Sequence, residues 1–271
     1  MIHVATVHWN SDRWIPIQLT YLKRNIPGPY RVYAWLNGIA NPPLDAFHYA
    51  CTESVQEHPI KLNILADIIY FDSNRDDDII MFLDGDAFPI ADIERYVREK
   101  LQSFPLVAVQ RRENDGDRQP HPCFCATTVG FWRRIRGDWK AGHQWQNSTG
   151  RWVTDVGGNL LEQLTDANIA WYPMLRTNKK NPHPVFFAIY DDVVYHHTTG
   201  FRDAWSRSDH RAFKEARAQL DQAPLGERIL KKYAPFARRR HKESLRVLNR
   251  RISAEVFARI EKDPEFYREF I

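Results

Sequence analysis

Apolar residues arrive along this chain in short runs separated by polar turns, and the runs change period. Ile2–Trp9 (IHVATVHW) is mainly apolar and reads as a buried first strand. Trp14, Ile17, Tyr21 and Leu22 then recur at helical spacing, predicting a helix capped at Asn10 or Ser11 and stopped by Pro27-Gly28. Tyr30–Leu36 returns to strand character and ends at Asn37-Gly38. A strand–helix–strand unit of this kind favours a parallel sheet with a right-handed crossover. Pro59–Phe71 reads as a helix with a broad apolar face made by Ile60, Leu62, Ile64, Leu65, Ile68 and Ile69. The acids Asp76–Asp78 form a solvated turn into the strand Ile79–Leu83, which stops abruptly at Asp84-Gly85-Asp86.

The second half continues the alternation. A helix is expected from about Ala91 to Leu101 and a strand over Leu106–Gln110. Arg111–Gln119 is polar, rich in Gly and Asp, and predicts a mobile loop. His121–Trp132 resumes strand character, and Gly137–Trp152 is a loop carrying Trp139, Trp145 and Trp152. Thr154–Leu164 opens a further helix, Ile169–Leu175 is a strand, and Asp191–Arg202 is a strand running into a Gly-containing turn. From His210 onward the pattern is helical and rich in Arg and Lys. No internal repeat or low-complexity tract is present. The fold class is therefore α/β: a mixed, mainly parallel sheet flanked by helices, with a helical C-terminal extension.

Composition narrows the function. The 271 residues, 43% hydrophobic, suffice for one sizeable core. Aromatic content is 13% with nine Trp, which suits both cores and the stacking of sugars and bases. A net charge of +4 is too weak to imply nucleic acid. Cys51, Cys123 and Cys125 are odd in number and lack a zinc-like spacing, which fits reduced thiols in a cytoplasmic protein. No stretch approaches the roughly 20 apolar residues of a membrane span. The first strand lacks the Gly-x-Gly-x-x-Gly dinucleotide fingerprint, and no Walker loop or Gly-x-Ser-x-Gly elbow occurs.

The chemistry concentrates where the strand Ile79–Leu83 ends. Ligands of open α/β sheets bind outside the carboxyl ends of the strands. Two acids at i and i+2 around a glycine can converge there on one hard divalent cation, which keeps positions open for a diphosphate. A metal-dependent phosphoesterase would also use clustered acids, but few other acids stand at strand ends, and Asp191-Asp192 begins a strand instead. A non-catalytic nucleotide-binding protein is the other alternative.

Asp-x-Asp pairs are common in turns, but "DIIMFLDGDAFPI" in this position resembles the Asp-x-Asp segment of GT-A-fold glycosyltransferases, which use nucleotide-sugar donors, and "VVYHHTTGFR" resembles their late strand ending in a His before a Gly. The likeness covers roughly residues 1–205, the expected nucleotide-sugar-binding catalytic domain, with 206–271 as a basic helical extension. It implies Asp84 near the ribose and metal, and Asp86 as a direct ligand. His197, three residues before Gly200, matches the spacing best; His196 is the alternative, because strand alternation sends one of the pair inward. An imidazole among carboxylates suits Mn2+ better than Mg2+. The resemblance further implies that Thr6, Val7, His8, Trp9 and Asn10 meet base and ribose, with Trp9 a stacking platform or a core residue. Gly85 lets backbone approach the ligand, Lys61 is a candidate for phosphate, and Asn63 and Asp67 for ribose or sugar. Asp155 is the candidate base, or else a helix N-cap, and Arg202 the diphosphate clamp. The expected donor is a UDP-sugar and the acceptor a saccharide or lipid-linked group. The basic stretch Ala237–Arg251, with Leu245, Val247 and Leu248 as its narrow apolar stripe, implies peripheral contact with an anionic membrane, at the inner face if the protein is cytoplasmic.

Overall fold

The computed structural model describes residues 1–202, 204–206, 209, 210 and 234–271, with the backbone alone for 234–244. The helical reading of 211–233 lies outside the described residues.

Seven strands form the main sheet: β1 (Ile2–Trp9), β2 (Tyr30–Asn37), β3 (Tyr49–Cys51), β4 (Ile79–Asp84), β6 (Leu106–Val109), β7 (His121–Thr128) and β10 (Tyr172–Met174), in the order β10-β6-β7-β4-β1-β2-β3. All neighbours are parallel except β7, which runs antiparallel to both β4 and β6. The mixed, mainly parallel sheet expected from the sequence is thus present. The chain steps from β1 outward to β2 and β3, then crosses back to place β4 on the other side of β1. That reversal makes the carboxyl ends of β1 and β4 the topological switch point.

Side-chain alternation divides the core between the two faces of this sheet. Ile2 and Val4 of β1 join Met81 and Leu83 of β4 under α1 (Ile15–Asn25) and α3 (Ile93–Lys100). Ala5 and Val7 join Ile80 and Phe82 under α2 (His58–Asp72), α4 (Val129–Ile135) and α5 (Gly158–Asp166). Leu62, Leu65 and Ile69 of α2 are wholly buried there, and each contributes about 2 kcal/mol. The first helix begins later than Asn10 or Ser11 predicts: Trp14 is its N-cap residue without a side-chain cap, and Pro16 stands in the first turn.

A small antiparallel sheet, β11 (Ala188–Tyr190), β12 (Val194–His196) and β5 (Ala87–Pro89), carries the late strand back beside the end of β4. Its outer face packs on the C-terminal segment. Val256 and Ile260 of the last helix, α6 (Ala234–Lys262), and Phe266 and Phe270 beyond it, bury against Phe88, Tyr195 and Phe187. Asn249, Ser253 and Val256 of this helix face inward, while Val247 and Leu248 are exposed. Arg111–Gln119 is a compact loop held by bonds within itself and to the Trp-bearing loop. Asn114 Nδ2 donates to Asp117 Oδ2 at 2.7 Å, and Asp115 O accepts from Ser148 N at 2.8 Å in the Trp-bearing loop. Within that loop Trp139 and Trp145 are core residues, Trp152 is exposed, and the hairpin β8 (Trp145–Gln146) and β9 (Trp152–Val153) closes it.

Candidate active site

The turn after β4 is held by a side chain from the first helix. Gln18 is fully buried, and its Nε2 donates to the carbonyls of Asp84 and Ala87, both at 2.8 Å. Its Oε1 accepts from Thr6 Oγ1 at 3.0 Å and lies 3.2 Å from His8 Nε2. The His8 proton therefore sits on Nε2. Burial lowers the pKa of this ring to about 4, so it stays neutral. Gln18 thus fixes both carbonyls around Gly85. A Cβ on Gly85 would come within 2.6 Å of the Val7 carbonyl and 2.7 Å of His8 Nδ1, so no larger residue fits between β1 and this turn.

Asp84, Asp86 and His196 form one cluster, with a ligand atom of each within 4.8 Å of the others. His196 Nε2 is 3.4 Å from Asp86 Oδ1 and 3.7 Å from Asp84 Oδ2. Asp86 is buried, contrary to the exposed acid that a turn would suggest. Burial alone would raise its pKa, but His196, His197 and the Gly200 N–H, which donates to Oδ2 at 2.8 Å, hold it well below the usual carboxylate range. Asp84 Oδ1 is shielded from solvent and accepts no hydrogen bond, although His58 Nε2 of α2 stands 3.1 Å away. A desolvated carboxylate oxygen calls for a positive partner, which a protonated His58 or a bound cation can supply. Two carboxylates and an imidazole fit Mn2+, and Mg2+ less well. His196 is oriented for this by Thr198 Oγ1, 3.4 Å from Nδ1, which leaves Nε2 toward the acids.

His197 does not join the cluster. β12 alternates, so Tyr195 and His197 turn together toward the C-terminal segment while His196 faces the acids. His197 Nδ1 is 2.9 Å from Tyr195 Oη and Nε2 is 2.9 Å from Ser253 Oγ of α6. The spacing to Gly200 favours the wrong member of the pair because the strand ends at His196. Gly200 itself is required by the close approach of Asp86 and Trp14: a Cβ there would lie 2.5 Å from the Asp86 Cβ.

The cluster stands in a cleft of about 310 Å3. Val7 and Trp9 line it on the β1 side; Arg111, His121 and Pro122 line it on the far side; Asp155, Arg202 and Phe201 complete the wall. Arg202 Nε donates to the Thr198 carbonyl at 2.8 Å. Asp155 is not the N-cap of α5, a position held by Gly157 with φ of 90°. Several predicted residues lie elsewhere. Thr6 and His8 are buried supports of the turn, and Asn10, in the left-handed region with φ of 53°, caps the exit of β1. Lys61 lies behind Trp9, with Nζ 4.1 Å from the ring centre and without a hydrogen-bond acceptor; burial lowers its pKa to about 8. Asn63 clamps Asp138 and the Trp139 N–H, and Asp67 belongs to a separate hollow between α2 and α4. Their helical spacing carried no information on which turn of α2 reaches the cleft.

Sequence reasoning missed Gln18, His58, Arg111 and His121. For His58 a signal existed: it opens the helix just before Pro59, and helix starts face the carboxyl edge of the sheet in such folds.

No protein-family profile and no curated protein matches the sequence. Solved structures of similar arrangement include the mannosyltransferase PcManGT from Pyrobaculum calidifontis in complex with GDP-Man and Mn2+, at 12% identity and TM-score 0.43 over 67% of this chain and 58% of that one. The chain therefore spans somewhat over half of that enzyme. The galactosyltransferase LgtC in complex with donor and acceptor sugar analogues matches at 11% identity and TM-score 0.38, over 83% of this chain and 99% of that one. The catalytic domain of Drosophila β1,4-galactosyltransferase 7 in complex with xylobiose matches at 10% identity and TM-score 0.39, over 74% and 72% of the two chains. These likenesses are distant, so the chemistry of the site rests on its own atoms.

Proposed function

We propose that the protein is a divalent-metal-dependent glycosyltransferase that takes a nucleotide sugar, a UDP-sugar foremost, and passes the sugar to a saccharide or lipid-linked acceptor. The observation that carries this reading is the convergence of Asp84, Asp86 and His196, a ligand atom of each within 4.8 Å of the others, at the switch point of the sheet. Asp84, Asp86 and His196 would hold the cation, Mn2+ before Mg2+, which when bound supplies charge to stabilise a departing diphosphate.

The chain's own residues supply the rest. Trp9 and Val7 offer an apolar wall for the nucleoside, and the Lys61 cation behind Trp9 favours stacking on its open face. Arg202, tied to the Thr198 carbonyl, brings a guanidinium to the diphosphate. In transfer, an acceptor hydroxyl oxygen bonds to the anomeric carbon, the bond from that carbon to the diphosphate oxygen breaks, and its electron pair leaves with the diphosphate. Asp155 is the cleft carboxylate that would take the hydroxyl proton.

Calorimetric titration with Mn2+ and a panel of nucleoside diphosphates, followed by turnover of the matching nucleotide sugar, tests the reading; absence of metal-dependent binding across the panel overturns it. In the same titration His196→Gln should weaken binding by about tenfold or more, one lost ligand being worth at least ~1.4 kcal/mol. His197→Gln should leave it within about threefold. Equal effects of the two would remove His196 from the metal site.

The proposal extends to location. No described helix is long and apolar enough to cross a membrane, while the basic run Ala237–Arg251 and the exposed Val247 and Leu248 support peripheral attachment at an anionic inner membrane face. Co-sedimentation with anionic but not neutral vesicles, weakening with salt, is the expected result. Equal recovery with both lipids would discard it.

A further inference from the structure

The far wall of the cleft contains a polar contact that lacks an acceptor. His121, at the start of β7, takes the Cys123 N–H on Nδ1 at 3.0 Å. Its ring is buried. A neutral ring that accepts on Nδ1 carries its proton on Nε2. Yet Nε2 stands 3.2 Å from Arg111 Nη1, which is also a donor. The opposite tautomer only moves the conflict to the Cys123 N–H. Two N–H groups therefore face one another, and Arg111 Nε is shielded from solvent with no partner either. No carboxylate of the described residues lies within ion-pair distance of Arg111. Glu113 and Asp117 act on it electrostatically, and neither lines the cleft. Buried donors so arranged call for an anion with two acceptor oxygens.

Position says which anion. Across the carboxyl edge of the sheet the order is β1, β4, β7, β6. Trp9 stands at β1, the acids at β4, His121 at β7 and Arg111 just past β6. The Arg111–His121 pair thus lies on the side of the metal cluster away from Trp9, with the His121 ring centre 6.2 Å from that of His196. A nucleotide sugar with its nucleoside at Trp9 and its diphosphate at the acids extends its sugar to that side.

We propose that Arg111 and His121 form a subsite for a carboxylate carried by the transferred sugar, so that the donor is a nucleotide-linked uronic acid. This rests on the glycosyltransferase reading above. Both oxygens of a sugar C6 carboxylate would be taken, one by Arg111 and one by His121 Nε2–H. A neutral hexose offers one hydroxyl oxygen there and no negative charge to meet the buried Arg111 guanidinium.

Two donor pairs that differ only at C6 test this: UDP-glucose with UDP-glucuronic acid, and GDP-mannose with GDP-mannuronic acid, titrated calorimetrically with Mn2+. The uronic acid of one pair should bind at least about tenfold more tightly than its hexose, a charge-assisted bidentate contact being worth ~1.5–3 kcal/mol. Arg111→Gln should abolish the difference while leaving the free nucleoside diphosphate within about twofold. A wild-type protein that binds nucleoside diphosphate but holds the neutral donor as tightly overturns the subsite and leaves the parent reading standing. Equal weakening of the nucleoside diphosphate and both donors by Arg111→Gln makes Arg111 a diphosphate ligand and also overturns it. No nucleotide binding at all removes both. The wild-type comparison needs no variant, so misfolding of Arg111→Gln cannot obscure the result.

Discussion

Asp86→Asn is expected to remove at least about 99% of the Mn2+-dependent affinity for nucleotide, equivalent to roughly 3 kcal/mol, while the protein still unfolds cooperatively. The substitution is nearly isosteric. Its carbonyl oxygen can still accept the Gly200 N–H that Asp86 Oδ2 takes at 2.8 Å, so the turn keeps its anchor. What goes is the charge, and with it one ligand of the cluster. Alanine would be a poorer test, because Asp86 is buried and its removal would orphan the Gly200 N–H and leave a void beside Trp14. Thermal unfolding with and without Mn2+ and UDP separates the two effects. A ligand at 100 times its dissociation constant stabilises the native state by about 2.7 kcal/mol, so the wild-type midpoint should rise with both present and the Asp86→Asn midpoint should not. The variant's own midpoint should fall modestly, since His196 and the Gly200 N–H favour a charged group at this position. An equal rise in the two proteins would show that Asp86 holds no metal.

Much of this frame was legible beforehand, and the physical reasons differ by feature. Strand β4 is buried on both faces and appears as an unbroken apolar run, while β1 and β2 are mainly apolar. The acids at the end of β4 stood out because a charge ending such a run must face either solvent or a ligand. The choice between His196 and His197 was decided by where β12 ends, and that depends on its pairing with β5, a contact far away along the chain. Gln18 was illegible for a similar reason: one polar residue on an apolar helix face looks like a solvated position until the turn it holds is seen. Asn63 and Asp67 were misread because helical spacing gives neighbours on a face without saying which turn of the helix reaches the cleft. Arg111 and His121 lie in stretches with no motif of their own, and their juxtaposition arises from the antiparallel pairing of β6 with β7.

The native state should lose stability steadily as pH falls from about 6.5 to 4.5, before most carboxylates titrate. Buried histidines with lowered pKa values, His3, His8, His121 and His197, are responsible. Burial lowers the pKa of His197 to about 3, with Asp86 opposing and Arg13 and His196 adding to the shift. It lowers that of His8 to about 4 and that of His121 well below its ordinary value. The unfolded chain takes up these protons near pH 6.5, and the folded chain does not. Over that interval the unfolded state binds more protons, so stability rises with pH and is lost on acidification, until the folded-state values are reached. Each pKa unit corresponds to about 1.4 kcal/mol, so His8 and His197 are each worth on the order of a few kcal/mol, a large part of the roughly 5–15 kcal/mol typical of a domain. Asp86 adds to the same direction at lower pH: its depressed pKa contributes stability above about 3.8 that is lost as pH falls further. His197→Gln isolates one contribution. Its amide can still reach Ser253, the partner of His197 Nε2 at 2.9 Å, and it does not titrate. Its thermal midpoint should be lower than that of the wild type at pH 7.5 but should fall less between pH 6.5 and 4.5. A wild-type midpoint that stays flat across that range, or parallel slopes in the two proteins, would mean that His197 opens to solvent or is protonated in the native state.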